Sequence, residues 1–255
     1  MNNSKASLIF LILAFVMLWF PVGQHALLYD QWMKLGVFMS PFLLFLAFAG
    51  RNVDISIKSD TRLLSVFMLV FYIIHQYEEH WIDIFGNLYA FQGFLNGTLT
   101  GLLGVADPAV SFITKADIFV INTSLVWLVA CLAVLCAPKN IFPALCMAGI
   151  ILVNALSHGI SGLRDFAYNP GLLTSMVIFI PFALWFYPMV LNQNIASRTV
   201  ILWALAWAFV AHVILMVGLV LTNHIGLVSS MVYYAALILW SIVPTLIKPS
   251  MLDRP

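Results

Sequence analysis

The chain has 255 residues, of which 63% are hydrophobic and 8% charged, and its formal net charge is +1. Apolar runs of membrane-spanning length recur along its whole course, which excludes a water-soluble core and predicts an all-α, polytopic transmembrane helix bundle. No block of Lys or Arg interrupts them, so nucleic acid is excluded as a partner and the lipid bilayer is the surrounding the composition demands.

Eight spans are predicted in chain order, at about 7–28, 32–50, 62–82, 117–137, 141–163, 171–191, 199–221 and 225–247. The first follows Lys5 as a signal peptide would. No small-residue cleavage site follows in "LWFPVGQHALL", so it reads as a retained helix. Between the third and fourth spans, "GNLYAFQGFLNGTLTGLLGVADPAVSF" is too rich in glycine to span and predicts an interfacial or re-entrant segment. Cys131, Cys136 and Cys146 sit inside apolar runs without CxxC spacing and read as small core residues. With no linker or repeat, 1–255 forms a single integral membrane domain. Trp19, Trp32, Trp81 and Trp240 fit interface anchors.

With eight spans and an inner N-terminus, eight of the eleven Lys and Arg fall on the inner side, against Lys34, Lys115 and Arg164 outside. Both termini are therefore expected in the cytoplasm. The third and fifth spans then run outward, and His25, His75, His80, His158 and His224 all lie toward the outer side.

That side receives the most unusual stretch, "FYIIHQYEEHWIDIF" at 71–85. At about 100° per residue, Glu79 lies about 40° from His75, Glu78 about 60° the other way and Asp83 near 80°, so they share a face. His80, about 140° away, is assigned to another environment or to the interface. In the fifth span, "NALSHGISGLRDF" puts Asn154, Ser157, His158 and Ser161 on one face, with Arg164 and Asp165 a turn further. Two polar faces thus end near one surface. "YNPG" at Tyr168 to Gly171 predicts a turn opening the sixth helix, with Pro170 at an early helical position and Thr174 in the first turn.

His75-Gln-Tyr-Glu78-Glu79, then Asn154 with His158 four residues on, then Tyr168 to Gly171 resemble in order and type the three motifs of the HXXEE family of integral membrane proteins. The resemblance covers about residues 62–190, leaving 1–61 and 192–255 as flanking helices, and it implies no particular reaction. A looser likeness, a His and a Glu four apart on a membrane helix followed by aromatics, is to the emopamil-binding sterol isomerase group.

A carboxylate at the bilayer centre costs about 2.5–3.5 kcal/mol, and two neighbours repel. Three arrangements could offset this. His75, Glu79 and His158 supply ligands of the kind zinc or iron takes, leaving Glu78 as general base. Alternatively, without metal, one glutamate keeps its proton and donates it while His75 or the other glutamate accepts. Or the cluster is structural, with Arg164 neutralising a glutamate and Asn154 and His158 joining helices. Asn154, Tyr168, Arg164, Trp207 and His212 are the candidate substrate-contacting residues. As an enzyme, with Glu78, Glu79 and His75 catalytic, the protein would act on a lipid-like or hydrophobic small molecule. As an ion or solute transporter it would need polar residues continuing to the inner face, and the stretch "LLSVFMLV" contains no continuation of the acidic line. An accessory membrane partner of a soluble enzyme is the third class.

Overall fold

The computed structural model describes residues 30–51, 54–105, 110–137 and 139–252. The candidate span at about 7–28, together with Lys5, Trp19, His25 and Arg254, lies outside them. Among the described residues the chain is helical, with one isolated bridge between Ile82 and Leu88 in place of any strand. The helices are α1 (Trp32–Gly50), α2 (Thr61–His80), α3 (Ala90–Leu103), α4 (Lys115–Cys136), α5 (Phe142–Asp165), α6 (Leu172–Asn192), α7 (Arg198–His224), α8 (Ser230–Leu246) and the short α9 (Pro249–Leu252).

Five of these, α1, α4, α5, α6 and α7, are long and apolar enough to cross a membrane. Helix α2 has the length, at 20 residues, but carries Arg62, Glu78 and Glu79; α8 has 17 residues. The predicted re-entrant segment contains α3, whose 14 residues reach only about 21 Å, short of the bilayer's hydrocarbon core.

Local chemistry sets the helix starts. The Asp60 carboxylate accepts from the Arg62 and Leu63 backbone N–H groups and so caps α2. Thr114 and Asp117 form a reciprocal capping box on α4. Ser197 and Ser229 cap α7 and α8 through the Val200 and Val232 amides. The far end of α4 is tied to the start of α2, where Thr61 Oγ1 donates to the Ala137 carbonyl at 3.2 Å and Arg62 Nε to that of Val134 at 3.2 Å.

Helix α4 lies innermost, packed by α2 and α5, while α1 covers α2, α7 covers α5 and α8 rests on α4. Side chains such as Phe38, Phe42, Phe45, Leu184 and Phe209 point outward and are exposed, as expected where lipid replaces water. Helices α5 and α7 approach each other closely. A Cβ on Gly149 would stand 2.8 Å from Ala208 Cβ and 3.2 Å from the Ala204 carbonyl oxygen, so this contact depends on small residues on both helices. Trp32, expected as an interface anchor, is fully buried instead, ringed by His80, Phe119 and Trp127. The chain enters α1 beneath the end of α2, so this indole fills the core.

Candidate functional site

The two adjacent glutamates ending α2 face different elements. Glu78 points at the start of α6. There Gly171 adopts φ +95°, a left-handed conformation that suits glycine, and α6 begins at Leu172. Pro170 therefore belongs to the turn rather than to the helix. The Glu78 carboxylate accepts from the Leu173 amide (3.1 Å), the Thr174 amide (2.8 Å), the Thr174 hydroxyl (2.5 Å) and the Tyr168 hydroxyl (2.9 Å). The first amides of a helix have no intrahelical acceptor and carry the positive end of its dipole, so this buried acid is matched on both oxygens. Burial and the bond to Glu78 together raise the Tyr168 phenol above its ordinary range, which keeps it a donor.

Glu79 points into the bundle. Its Oε1 lies 2.9 Å from His158 Nε2, and its Oε2 lies 3.3 Å from the Nε2 atoms of both His75 and His80. The imidazole tautomers follow from their other neighbours. The Thr174 hydroxyl gives its one hydrogen to Glu78, so toward His75 Nδ1, 2.8 Å away, it can only accept. His75 Nδ1 thus carries hydrogen, and Nε2 presents a lone pair. Asn169 donates its amide N–H to the His158 carbonyl at 3.0 Å, turning its Oδ1 to His158 Nδ1 at 2.6 Å. His158 Nε2 is then also left free of the orienting bond. His75 Nε2 has no hydrogen-bond partner among the described residues, on a side chain that is 0% exposed.

A polar relay reaches the same spot from α4. The Trp127 indole, which can only donate, bonds Gln76 Oε1 at 2.9 Å, and Gln76 Nε2 donates to Asn122 Oδ1 at 2.9 Å. Asn122 Nδ2 therefore faces the Ile118 carbonyl at 2.8 Å and His80 Nε2 at 3.2 Å. His80 Nε2 accepts there, so this ring joins the cluster as an acceptor held by Asn122. The expectation that His80 sits elsewhere is corrected. The last turn of α2 is covered on more than one flank, with Gln76, Glu78, Glu79 and His80 all buried, so a long glutamate side chain there can be met from either side.

Gly171 closes the floor. A Cβ there would stand 2.8 Å from Glu79 Cγ, His158 Cε1 and His75 Cε1 at once. His75, Glu79 and His158 each offer a ligand atom, all within 4.8 Å of one another, so these three buried groups could hold a metal ion. Two π-helical stretches flank the site: Asn122 opens Asn122–Leu128, and Ser175–Phe179 follows Thr174 directly. Such turns concentrate at functional sites.

Beside the cluster lies a cavity of about 330 Å³ whose wall includes Glu79, His80, Asn154, His158 and His212. The rest is mainly apolar, from Phe91 and Phe94 of α3, Ile121 and Leu125 of α4 and Met216 of α7. Ile160 and Arg164 line it and are exposed, so it reaches the surface between α3 and α5.

Of the candidate residues, His75, Glu79 and His158 converge, Asn154 and His212 line the adjoining cavity, and Tyr168 binds Glu78. Arg164 stands at the cavity's outer rim with its guanidinium on Asp165, at 2.7 Å through both Nε and Nη2; it neutralises neither glutamate, because α5 has run past them by that turn. Trp207 does not line the cavity; its buried ring stacks on Trp240, with centroids 6.0 Å apart. Asp83 leaves the cluster to close the turn after α2, accepting from the Phe85 and Asn87 amides at 2.9 Å and the Asn87 side chain at 3.0 Å. Burial opposes its ionisation, and these hydrogen bonds outweigh that, holding the carboxyl below its ordinary range.

Gln76, Asn122, Trp127, Asn169, Gly171 and Thr174 were not among the candidates. Asn122 is one of few amides inside an apolar run, and Gln76 and Asn169 lie within the recognised motifs; those signals mark them.

Residues 66–186 match the model of a family described as a protein of unknown function with HXXEE motif. This segment of the chain is thus an HXXEE-family region, and it contains every residue of the Glu78 and Glu79 clusters. No curated protein and no solved structure matches the chain.

Proposed function

We propose that this protein is a membrane-embedded enzyme that acts on a lipid-like or hydrophobic small molecule at a metal ion held by His75, Glu79 and His158. The observation that carries this reading is His75 Nε2, wholly buried, without a hydrogen-bond partner and aimed with His158 Nε2 at one carboxylate. Leaving such a lone pair unmatched costs about 1–3 kcal/mol, and a cation supplies what all three groups lack. Hydrogen bonds from the far nitrogens, here to Thr174 and Asn169, are the usual support of metal-bound imidazoles. Two imidazoles and a carboxylate suit zinc or iron, and three protein ligands leave a coordination position for substrate or water. Bound there, the ion would supply a Lewis acid or a redox centre. Glu78, saturated by α6, acts as a positioning residue that holds α2 and α6 together rather than as a general base.

The test is metal analysis of the purified protein. Close to one zinc or iron per chain is expected in wild type, lost in Glu79→Ala and in His158→Ala. Wild type that neither retains nor takes up either ion would end this reading. A second reading has its own support in the 2.9 Å approach of His158 Nε2 to Glu79 Oε1: a proton shared there makes a metal-free acid/base pair, as an isomerase would use. Retained activity in metal-free wild type would favour it.

For topology we propose eight spans with both termini in the cytoplasm, supported by the Lys and Arg distribution. A single cysteine at position 165 should react with an impermeant reagent from outside and one at position 139 should not; the reverse pattern would invert the orientation.

A further inference from the structure

We propose that Asn154, assisted by His212, makes the cavity selective for apolar molecules bearing an O–H or N–H donor, such as a long-chain alcohol or amine. This inference rests on the reading above that the cavity admits a lipid-like substrate.

The cavity is apolar over most of its wall, so its few polar atoms decide what enters polar end first. Asn154 projects from α5 one turn before His158, and its Oδ1 is buried without a hydrogen-bond partner among the described residues. The neighbouring Tyr72 hydroxyl interacts with the same side chain, and Oδ1 still lacks a donor. Across the wall, His212 Nδ1 lies 2.9 Å from the Ala208 carbonyl oxygen. A carbonyl only accepts, so Nδ1 carries the hydrogen and Nε2 is left an acceptor on a ring lining the cavity. His80 Nε2 is already taken by Asn122, and Ser157 turns its hydroxyl to the Val153 carbonyl at 2.9 Å. Level with Glu79 and His158 the open groups are therefore the acceptors Asn154 Oδ1 and His212 Nε2, while the Ser161 hydroxyl, also buried without a partner among the described residues, stands a turn further along α5 toward Arg164. The ligand that complements the inner end brings a donor there. An ether, ester or ketone of the same shape would leave Asn154 Oδ1 buried and unmatched, a penalty that discriminates strongly.

The ligand's apolar remainder would lie against Phe94, Leu125 and Met216 and pass toward Ile160, where the cavity opens to the bilayer. This order places the donor next to the proposed metal ligands and the chain toward lipid.

The experiment uses the full chain in lipid nanodiscs with three photoreactive probes on one alkyl chain: the primary alcohol, the primary amine and the alcohol's methyl ether. Labelling of α3, α4 and α7 cavity peptides is read by mass spectrometry. In wild type, alcohol or amine should label at least about tenfold more than the ether. Asn154→Leu should bring donor probes down to the ether's level, while Asn154→Asp, which keeps an acceptor oxygen in place, should retain the preference. Metal content of each variant is measured in parallel. Asn154→Leu with wild-type metal content but no donor preference supports the assignment without reference to folding. Equal labelling by alcohol and ether in wild type, or a preference unaffected by Asn154→Leu, would overturn it. A donor preference in a protein that binds no metal would leave Asn154's role standing and sink the metal reading alone.

Discussion

At the scale of single residues, Glu78 and Glu79 are neighbours in sequence with opposite surroundings, and the same substitution separates them. Glu78 accepts four hydrogen bonds, three of them from the first turn of α6. Replacing one oxygen with an amide sets donor against donor. Glu78→Gln should therefore destabilise the protein by about 2–4 kcal/mol, read as a lower melting temperature in detergent. Glu79 accepts no hydrogen bond from a backbone amide and meets only imidazole nitrogens, so Glu79→Gln should abolish metal binding and, with both proteins compared metal-free, leave the melting temperature near wild type. Matching behaviour of the two variants in both measurements would contradict this division. The sequence makes His75, Glu79 and His158 visible as partners because helical spacing places each on a polar face. It conceals His80, since angular distance around one helix says nothing of a second helix approaching from the far side.

At the scale of elements, the start of α6 decides the geometry of the cluster. Gly171 sits at φ +95° with Glu79, His158 and His75 all within van der Waals range of where its side chain would be. Gly171→Ala meets left-handed strain and three contacts of 2.8 Å together, so we expect a loss on the order of 2–4 kcal/mol and loss of metal binding. Unchanged metal stoichiometry in that variant would show that the floor of the site is softer than its contacts imply. The "YNPG" motif was legible as a turn because proline and glycine have local conformational preferences. That its asparagine orients His158, and that the threonine after it joins His75 to Glu78, depends on where α6 returns against α2 and α5.

At the scale of the whole molecule, the bundle relies on close helix approach where no water drives association. Gly149 is a tight point between α5 and α7, and a methyl there would strike Ala208 Cβ and the Ala204 backbone. Gly149→Ala should cost about 1–3 kcal/mol. On the same helix, Gly159 would meet only the terminal carbon of Met176 at 3.3 Å, a flexible end that can move. Gly159→Ala should be neutral or stabilising by up to about 1 kcal/mol through helix propensity. Thermal unfolding of the two variants under one set of conditions checks the contrast, and equal effects would argue against tight α5–α7 packing.

Composition and hydropathy alone determined that this is a membrane protein built of helices, because burying apolar runs of spanning length is a local property of the chain. Motif order alone determined which histidines and glutamate belong together. The tertiary structure decided the rest: which glutamate faces α6 and which faces the cluster, that Trp127 sets the polarity of a relay ending at His80, and that Arg164 turns away to Asp165. The first two depend on hydrogen bonds between residues far apart in the chain, whose direction is set by the partner that packing delivers; the third depends on α5 having carried Arg164 past both glutamates to its own neighbour.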